Sequence, residues 1–267
     1  MNILEKIVQQ KKMEVKRDKP VYTESVLRES KKFSRQCNSL KEMLEHTSSS
    51  GIIAEFKRKS PSKGWINEDA WVSIIVNDYE DAGAAGVSIL TDKEFFGGDL
   101  EDLIEARSDD MLGLPILRKD FIIDEYQVIE SKSWGADVIL LIAAILSKEE
   151  VKRFARKAKE IGLEVLLEIH EENEINHICD DIDFVGVNNR DLKTFEVDIN
   201  RSIQLAPKIP RGKILISESG LNTPQHIILL KKHGFRGFLI GEKFMKEENP
   251  GIACADFIEL LNLKNEN

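Results

Sequence analysis

Short apolar runs alternate with amphipathic stretches along most of the chain, from residue 51 onward. The runs are rich in Val, Ile and Leu, as expected for strands that are buried on both faces. They predict strands at residues 52–56, 86–90, 115–118, 137–142, 164–168, 183–187, 214–217 and 236–240. Strands that alternate with helices in this way pair in parallel through right-handed crossovers.

The stretches between the runs carry the start and stop signals of helices. Ser147 and Glu150 form a capping box ahead of a helical apolar stripe, which Gly162 ends. Pro224 stands near the first turn of another predicted helix, which Gly234 closes. Eight such units favour an α/β fold of the closed (β/α)8 TIM barrel type over an open doubly wound sheet. No G-x-G-x-x-G follows the first strand, which argues further against a dinucleotide-binding sheet.

The first fifty residues do not share this alternation. We therefore predict a helical extension over residues 1–50, packed on a catalytic barrel domain that spans residues 51–267. Within the extension, residues 1–17 predict a basic amphipathic helix, and a second helical stretch covers residues 37–46.

The first helix has an apolar stripe and a set of lysines. The stripe consists of Ile3, Leu4, Ile7 and Val8, and the lysines are Lys6, Lys11, Lys12 and Lys16. Such a helix can bind a membrane surface. We expect instead that it covers the mouth of the barrel that holds the active site, that its lysines edge an anion-binding opening, and that it helps to exclude water.

Composition limits the classes of function. A net charge of −9 argues against general nucleic-acid binding and means that an anionic ligand needs a local cluster of Lys and Arg. The three cysteines lack a C-x-x-C pairing, which favours reduced thiols in the cytoplasm. The longest apolar run, Val138–Leu146, is too short to span a bilayer, and the N-terminus lacks the apolar core of a signal peptide. We expect a cytoplasmic protein that binds neither nucleic acid nor membrane.

Polar and charged residues follow the predicted strands at their C-terminal ends, where an active site forms in this kind of barrel. The residues at these ends are Glu55, Lys57, Thr91, Lys119, Glu168, Asn188, Arg190, Glu218, Ser219, Gly241 and Glu242. The Glu55–Lys57 pair alone is compatible with a surface salt bridge. Burying the whole set without a ligand or a reaction would cost several kcal/mol for each charge, so the set indicates one functional cleft.

The cluster suits acid–base chemistry on an anionic substrate that carries a carbonyl group. A lysine crowded by other cations and partly desolvated has a pKa lowered toward neutrality and can act as a general acid, or it can form a Schiff base. A glutamate in the same site can act as a base or stabilise a developing cation. The glycines after the last two strands suit a phosphate site.

Other candidate chemistry is weaker. His170 and His177 lack the H-E-x-x-H spacing of a zinc site, and we expect no metal. Ser219 does not lie in a G-x-S-x-G nucleophile elbow. His46, His226 and His233 lie on helical stretches and are expected to be exposed.

Several segments together resemble the indole-3-glycerol phosphate synthase family of tryptophan biosynthesis. They are IIAEFKRKSPSKG, SILTDKEFFGG, PILRKDFIIDEYQ, ADVILLIAAIL, EVLLEIH, VGVNNRDLKTF, ISESGL and FLIGEKFM, in this order. The resemblance implies a lyase that converts 1-(2-carboxyphenylamino)-1-deoxyribulose 5-phosphate to indole-3-glycerol phosphate, with loss of CO2 and water. It implies no cofactor, a small phosphorylated substrate, and possible association with other enzymes of the pathway.

The resemblance also implies roles for individual residues. Lys119 matches the general acid of ring closure, Lys57 the lysine of carboxylate contact or later proton transfer, and Glu168 the base of dehydration. Glu55 and Asn188 complete the implied catalytic set. The implied substrate-binding residues are Arg190, Glu218, Ser219, Phe96 and Phe121. The implied phosphate-binding residues are Ser60, Gly220, Gly241 and Glu242.

Two alternatives stay open on the residues alone. One is another phosphate-binding barrel, such as an isomerase of a phosphoribosyl compound. The other is a barrel without activity that binds a phosphorylated metabolite as a sensor or scaffold. Such a protein could keep Gly220 and Gly241 while losing Lys119 or Glu168, and this chain has both kinds of residue.

Overall fold

The computed structural model describes residues 2–107, 112–191 and 194–265. Met1 and residues 266–267, which belong to the two predicted units, lie outside the described residues. Leu192 and Lys193 of the VGVNNRDLKTF segment also lie outside them.

Eight parallel strands close into a barrel. They are β1 (Ile52–Phe56), β2 (Gly86–Leu90), β3 (Ile116–Lys119), β4 (Val138–Ile142), β5 (Glu164–Ile169), β6 (Phe184–Asn188), β7 (Ile214–Glu218) and β8 (Phe235–Ile240). Each strand pairs with its neighbour in the sequence, and β1 pairs with β8 to close the ring. The predicted (β/α)8 barrel is thereby confirmed, and the strand bounds differ from the predicted ones by at most one residue at either end.

Helices precede the barrel and connect its strands. They are α1 (Ile3–Asp18), α2 (Glu24–Arg28), α3 (Leu40–Glu45), α4 (Val72–Asp81), α5 (Lys93–Phe96), α6 (Glu101–Ala106), α7 (Glu125–Trp134), α8 (Lys148–Glu160), α9 (Asn200–Leu205), α10 (Pro224–Lys231), α11 (Glu242–Met245) and α12 (Pro250–Asn265). The loop after β5 carries a 3-10 helix, Glu172–His177, and the loop after β1 carries a small antiparallel pair, Lys59–Ser60 with Gly64–Trp65. None of the helices within the described residues is long and apolar enough to cross a membrane.

The predicted helix signals act as expected. Ser147 accepts a hydrogen bond from the Glu150 amide, and the Glu150 side chain accepts one from the Ser147 amide, so the capping box starts α8. Pro224 occupies the first turn of α10, where its missing N–H costs nothing.

Helix α3 closes the N-terminal mouth, the end of the barrel formed by the N-terminal ends of the strands. Leu40 and Leu44 are buried and pack against residues of the barrel interior, including Ile53 and Ile216. A polar clamp fixes α3 there, because Glu164 at the start of β5 accepts hydrogen bonds from Ser39 Oγ at 2.6 Å and from the Leu40 amide at 2.8 Å.

Helix α1 lies at the opposite end, the C-terminal mouth. Its residues Ile3, Leu4 and Ile7 line the cavity that opens there. The expectation that Lys11 edges an anion-binding opening is wrong, because this side chain is buried and its ammonium binds carboxylates. Residues of the extension therefore contact both mouths. The predicted boundary between the helical extension, residues 1–50, and the barrel domain, residues 51–267, stays a prediction.

We predict that Leu44→Ala destabilises the protein by about 2–5 kcal/mol. The substitution leaves a cavity at the N-terminal mouth of the barrel that the surrounding strands cannot fill. Urea unfolding followed by circular dichroism measures this change. The matched control is Leu260→Ala on α12, where the side chain is 49% exposed and the expected change is within about 0.5 kcal/mol. Equal effects of the two substitutions would show that α3 does not contribute to the core.

Candidate active site

A cavity of about 640 Å³ opens at the C-terminal mouth of the barrel. Its lining contains every residue that the sequence predicts for the site: Glu55, Lys57, Ser60, Phe96, Lys119, Phe121, Glu168, Asn188, Arg190, Glu218, Ser219, Gly220, Gly241 and Glu242. Thr91, which also ends a strand, does not join them. Its hydroxyl donates to Asp120 Oδ2 at 2.7 Å, behind the cavity wall. The structure thus brings the predicted residues together, and their roles are proposals.

Lys119 occupies the centre of the charged part of the lining. As the last residue of β3 it points into the barrel, and its Nζ lies 3.2 Å from Glu168 Oε2 and 3.2 Å from Glu218 Oε2. The neighbouring Arg118 points the other way, toward α7, as alternation along a strand requires. One ammonium group is therefore shared by two buried carboxyl groups from β5 and β7.

The environment of Lys119 corrects one expectation from the sequence. Burial by itself lowers the pKa of a lysine, but the charges of Glu168, Glu218 and Glu55 outweigh burial and raise the pKa of Lys119 above its ordinary value. The expected lowering toward neutrality is wrong because the groups around Lys119 are acids rather than other cations. Lys119 is thus a protonated donor at neutral pH and is poorly suited to Schiff-base formation in the free protein.

The two carboxyl groups beside Lys119 differ in their protonation. Burial would raise the pKa of Glu168, but Lys119 and His170 outweigh burial, and the pKa of Glu168 lies below its ordinary value. Burial together with the charge of Glu168 raises the pKa of Glu218 to about 8, although Lys119 opposes the shift. At neutral pH the site therefore holds an ionised Glu168 and a protonated Glu218, so a base and an acid lie on either side of one ammonium group.

His170 was considered from the sequence only as a weak zinc candidate. The structure places its buried ring directly behind Glu168, with Nε2 3.4 Å from Glu168 Oε1. The signal that could have found it is its position two residues after Glu168, directly past the end of β5, where the alternation of the strand continues to the same face.

Glu55 and Lys57 form a second charged pair in the cavity. Lys57 Nζ lies 2.6 Å from Glu55 Oε1, and both side chains are largely buried. The pair therefore belongs to the interior of the site and is not a surface salt bridge.

Two glycines give the carboxylates their space. A Cβ atom at Gly186 would lie well inside contact distance of Glu218 Oε1, and one at Gly241 would collide with Glu55 Oε1. Neither glycine has a positive φ, so the close approach of a carboxylate, rather than backbone conformation, requires glycine here. The sequence analysis assigned Gly241 to phosphate binding and missed Gly186.

Polar residues at the end of β6 fix the loop after β7. Asn189, which the sequence analysis did not single out, donates through Nδ2 to Ser217 Oγ and to the Ser219 carbonyl, both at 3.0 Å. Ser219 adopts a left-handed conformation with φ of 68°, which is uncommon for a residue other than glycine and clusters at functional sites. Gly220 follows with φ of 76°.

The predicted phosphate residues share one side of the cavity lining with two further lysines, Lys63 and Lys243. Ser60 Oγ is buried and has no hydrogen-bond partner among the described residues, so it is available to a ligand. The short helix α11 begins at Glu242; the amides of Phe244 and Met245 donate to the Gly241 carbonyl, which leaves those of Glu242 and Lys243 at the start of the helix. Lys63 and Lys243 follow Ser60 and Glu242 closely in the sequence. This proximity could have identified the two lysines as further residues of the site.

Apolar side chains also belong to the lining, and Val197 and Ile199 lie beside Gly220. The rings of Phe96 and Phe121 lie with centroids 6.0 Å apart, and Phe195, Val197 and Ile199 from the loop after β6 also line the cavity. Phe195 ends the VGVNNRDLKTF segment but is not among the predicted site residues, and no motif marks Val197 or Ile199. His226, expected to be exposed, is only partly exposed and lines the cavity, because the first turn of α10 faces the C-terminal mouth.

Comparison with solved structures supports the fold. A chain of the tryptophan synthase complex of Pyrococcus furiosus matches with a TM-score of 0.58 and 16% sequence identity, covering 80% of this chain and 98% of that one. At this level of identity the likeness concerns the fold alone.

Comparison at the sequence level identifies the family. The family model described as indole-3-glycerol phosphate synthase matches residues 4–257. An indole-3-glycerol phosphate synthase of Bacteroides thetaiotaomicron is 47% identical over 97% of this chain and 99% of its own length. One of Alkaliphilus metalliredigens is 40% identical over 93% of this chain and 95% of its own length. The chain with Lys119 between Glu168 and Glu218 belongs to the indole-3-glycerol phosphate synthase family.

Proposed function

We propose that this chain converts 1-(2-carboxyphenylamino)-1-deoxyribulose 5-phosphate to indole-3-glycerol phosphate, as a carboxy-lyase of tryptophan biosynthesis. The observation that carries the proposal is the position of Lys119 Nζ, 3.2 Å from both Glu168 and Glu218, whose pKa values are shifted in opposite directions. This arrangement supplies a proton donor and a proton acceptor within reach of one reacting centre, as ring closure and dehydration require.

The cavity suits the charge and shape of this substrate. The substrate carries a carboxylate and a phosphate, and the lining offers Lys57, Lys63, Arg190 and Lys243 in a chain whose net charge is −9. The lining also holds acids, including Glu168 and Glu218, so these cations serve as local partners for the two anionic groups rather than as a uniformly positive surface.

The phosphate group is proposed to bind at Ser60, Gly220, Gly241 and Glu242. Ser60 offers a buried hydroxyl without a partner, and the loops after β7 and β8 offer backbone amides beside a helix start. The Glu242 side chain is not needed for this role, because its amide N–H is the group that faces an anion. The aromatic ring of the substrate would lie at the other end of the cavity, near Phe96 and Phe121.

Ring closure needs a proton on the carbonyl oxygen as the aromatic carbon attacks. Lys119 is the proposed donor, since its ammonium faces the cavity and is protonated at neutral pH. Lys57 is proposed to contact the substrate carboxylate, and Glu55, at 2.6 Å, holds it in place. Loss of CO2 then restores the aromatic ring.

Dehydration needs a base for one proton and an acid for the leaving hydroxyl. Glu168 is the proposed base, because its pKa lies below the ordinary value and it is ionised. Glu218 is protonated below pH 8 and can return a proton to Lys119 or donate a hydrogen bond. Asn188 and Arg190 are proposed to orient the substrate from the end of β6.

Residues 1–50 are proposed to act with the barrel as a helical extension that shields the reaction. The support for this role is the apolar face of α1, which supplies Ile3, Leu4 and Ile7 to the cavity lining. A low-dielectric cover strengthens the interactions of the charges beneath it.

Two further expectations stay predictions. One is a cytoplasmic location, and the other is association with other enzymes of tryptophan biosynthesis. The likeness to a chain of the tryptophan synthase complex concerns the fold and does not support such an association.

The direct test is an assay of the purified chain with the carboxyphenylamino substrate, without added metal or nucleotide. Indole fluorescence and CO2 should appear together. Isomerised product without CO2 would favour the phosphoribosyl isomerase alternative. Binding of the substrate without turnover would favour the sensor or scaffold alternative.

We predict that Lys119→Met lowers kcat by roughly 10²-fold or more, the scale of general acid catalysis, because the proton donor of ring closure is lost. Steady-state kinetics measures the change, with circular dichroism to verify folding. Lys148→Met, at an exposed lysine of α8, is the matched control and should leave kcat unchanged. A folded Lys119→Met variant with near-normal kcat would remove Lys119 from the mechanism.

We predict that Glu218→Gln changes the pH dependence of stability. The pKa of Glu218 is raised from 4.5 to about 8 on folding, so the stability that this group contributes is fully present below pH 4.5 and is lost as the pH rises toward 8. The amide does not titrate. The variant should therefore gain stability relative to the parent between these values, and level off above pH 8. Thermal melts across this range measure the difference, and a difference independent of pH would contradict the raised pKa.

We predict that Leu4→Ser raises KM several-fold and leaves kcat within about twofold, because Leu4 supplies apolar surface to the cavity lining and carries no proton-transfer group. Leu4→Met, which keeps the apolar surface, is the matched control. Unchanged KM in Leu4→Ser would show that α1 does not cover the substrate.

A further inference from the structure

A buried ion cluster adjoins Lys119 through Asp120, which also lines the cavity, and the proposed mechanism does not use this cluster for proton transfer. Its centre is Lys11 of α1, whose side chain is 4% exposed. Lys11 Nζ lies 2.7 Å from Glu14 Oε2, 3.0 Å from Asp120 Oδ1 and 3.2 Å from Asp92 Oδ2. An ammonium has three N–H donors, and three carboxylates surround this one.

Asp120 is the member of the cluster that adjoins Lys119 in the chain. Its Oδ1 binds Lys11 and accepts from the Phe121 amide, and its Oδ2 accepts from Thr91 Oγ1 at 2.7 Å and Arg118 Nη2 at 2.9 Å. This carboxylate is fixed from four directions. Because the peptide after Lys119 is thereby held, the direction in which the Lys119 side chain leaves β3 is held as well.

Asp92 is the second carboxylate of the barrel that Lys11 binds. It follows β2 and caps α5, since its Oδ1 accepts from the Phe95 amide at 2.8 Å. Lys11 therefore joins the ends of β2 and β3 through one cation. Without that cation, two buried carboxylates from adjacent strands would repel each other across the wall of the active site.

The charge on Lys11 is stable. Burial alone would lower the pKa of Lys11, but Asp120, Asp92 and Glu14 outweigh burial and raise it above the ordinary value of a lysine. The cluster thus does not change its charge in the pH range where the carboxylates are ionised. The cluster is therefore suited to holding the ends of β2 and β3 in place rather than to transferring protons.

We propose that Lys11 is a positioning residue for the reaction. By binding Asp92 and Asp120 together, it holds the ends of β2 and β3 so that Lys119 Nζ stays between Glu168 and Glu218. The inference rests on the proposed function, because it assigns Lys11 a role in the step that Lys119 performs. It separates two roles of α1: the apolar residues at its start cover the substrate, and Lys11 acts on the catalytic geometry.

The test compares Lys11→Met with Lys12→Met, a control at an exposed lysine on the same helix. We expect kcat of Lys11→Met to fall about 10- to 100-fold, the scale of a displacement near 1 Å, with KM within about threefold. Lys12→Met should match the parent chain in both constants. A folded Lys11→Met variant with unchanged kcat would overturn the proposal.

A second variant separates positioning from stability. Lys11→Met/Asp92→Asn removes one of the unpaired carboxylates, and asparagine keeps the cap of α5. We expect its thermal midpoint to recover toward that of the parent while kcat stays low, because Asp120 still lacks Lys11. Recovery of kcat together with the midpoint would show that Lys11 acts only on stability. This variant also decides the matter if Lys11→Met does not fold.

Failure of the proposed function would be visible separately. If the parent chain forms no indole product, the function itself is wrong. Lys11 is then judged by amide hydrogen exchange at Lys119 and Phe121. Faster exchange in Lys11→Met than in Lys12→Met would support the proposal that Lys11 restrains the end of β3. Equal exchange in the two variants would refute it.

Discussion

The placement of one ammonium group among buried carboxyl groups is the constraint on which the active site depends. Lys119 lies within 3.2 Å of both Glu168 and Glu218, and Glu55 adds a further negative charge. Lys57 balances Glu55, so ionised Glu168 and Glu218 would both depend on Lys119 and leave one negative charge uncompensated among buried groups. The site resolves this by keeping one proton on Glu218, whose pKa is about 8. The distribution of acid and base roles follows from this charge balance.

Such a balance requires a rigid frame, because the groups repel one another and come from different strands. A closed barrel supplies that frame, since every strand is paired on both sides and the strand ends cannot separate. The helical segment that precedes the barrel contributes at both ends. Leu40 and Leu44 of α3 fill the N-terminal mouth, and Lys11 of α1 binds carboxylates at the ends of β2 and β3.

Much of this architecture could be predicted from the sequence, because local pattern decides it. The apolar runs predict every strand to within one residue, and the strand ends predict Lys119 and the acids around it, whereas Ser60, Phe96 and Phe121 followed from the family resemblance. The pKa of Lys119 and the burial of Lys11 were mispredicted for one reason. Both depend on which charges lie nearby in space, and those charges are far away in the sequence. Phe195 and Asn189 were missed because their loops carry no periodic pattern.

The backbone sets the catalytic geometry as firmly as the side chains do. Glu218 fits beside β6 only because residue 186 has no Cβ, and Glu55 fits beside the end of β8 only because residue 241 has none. Neither glycine has a positive φ, so the close carboxylates are the constraint that the structure shows at both positions. A methyl group at Gly186 would push the Glu218 carboxyl group away from the strand on which it rests. Since Lys119 is shared between Glu218 and Glu168, that displacement would alter the protonation of both acids. Positions without a side chain therefore shape the cluster of acids around Lys119, although they have no side-chain group that donates or accepts a proton.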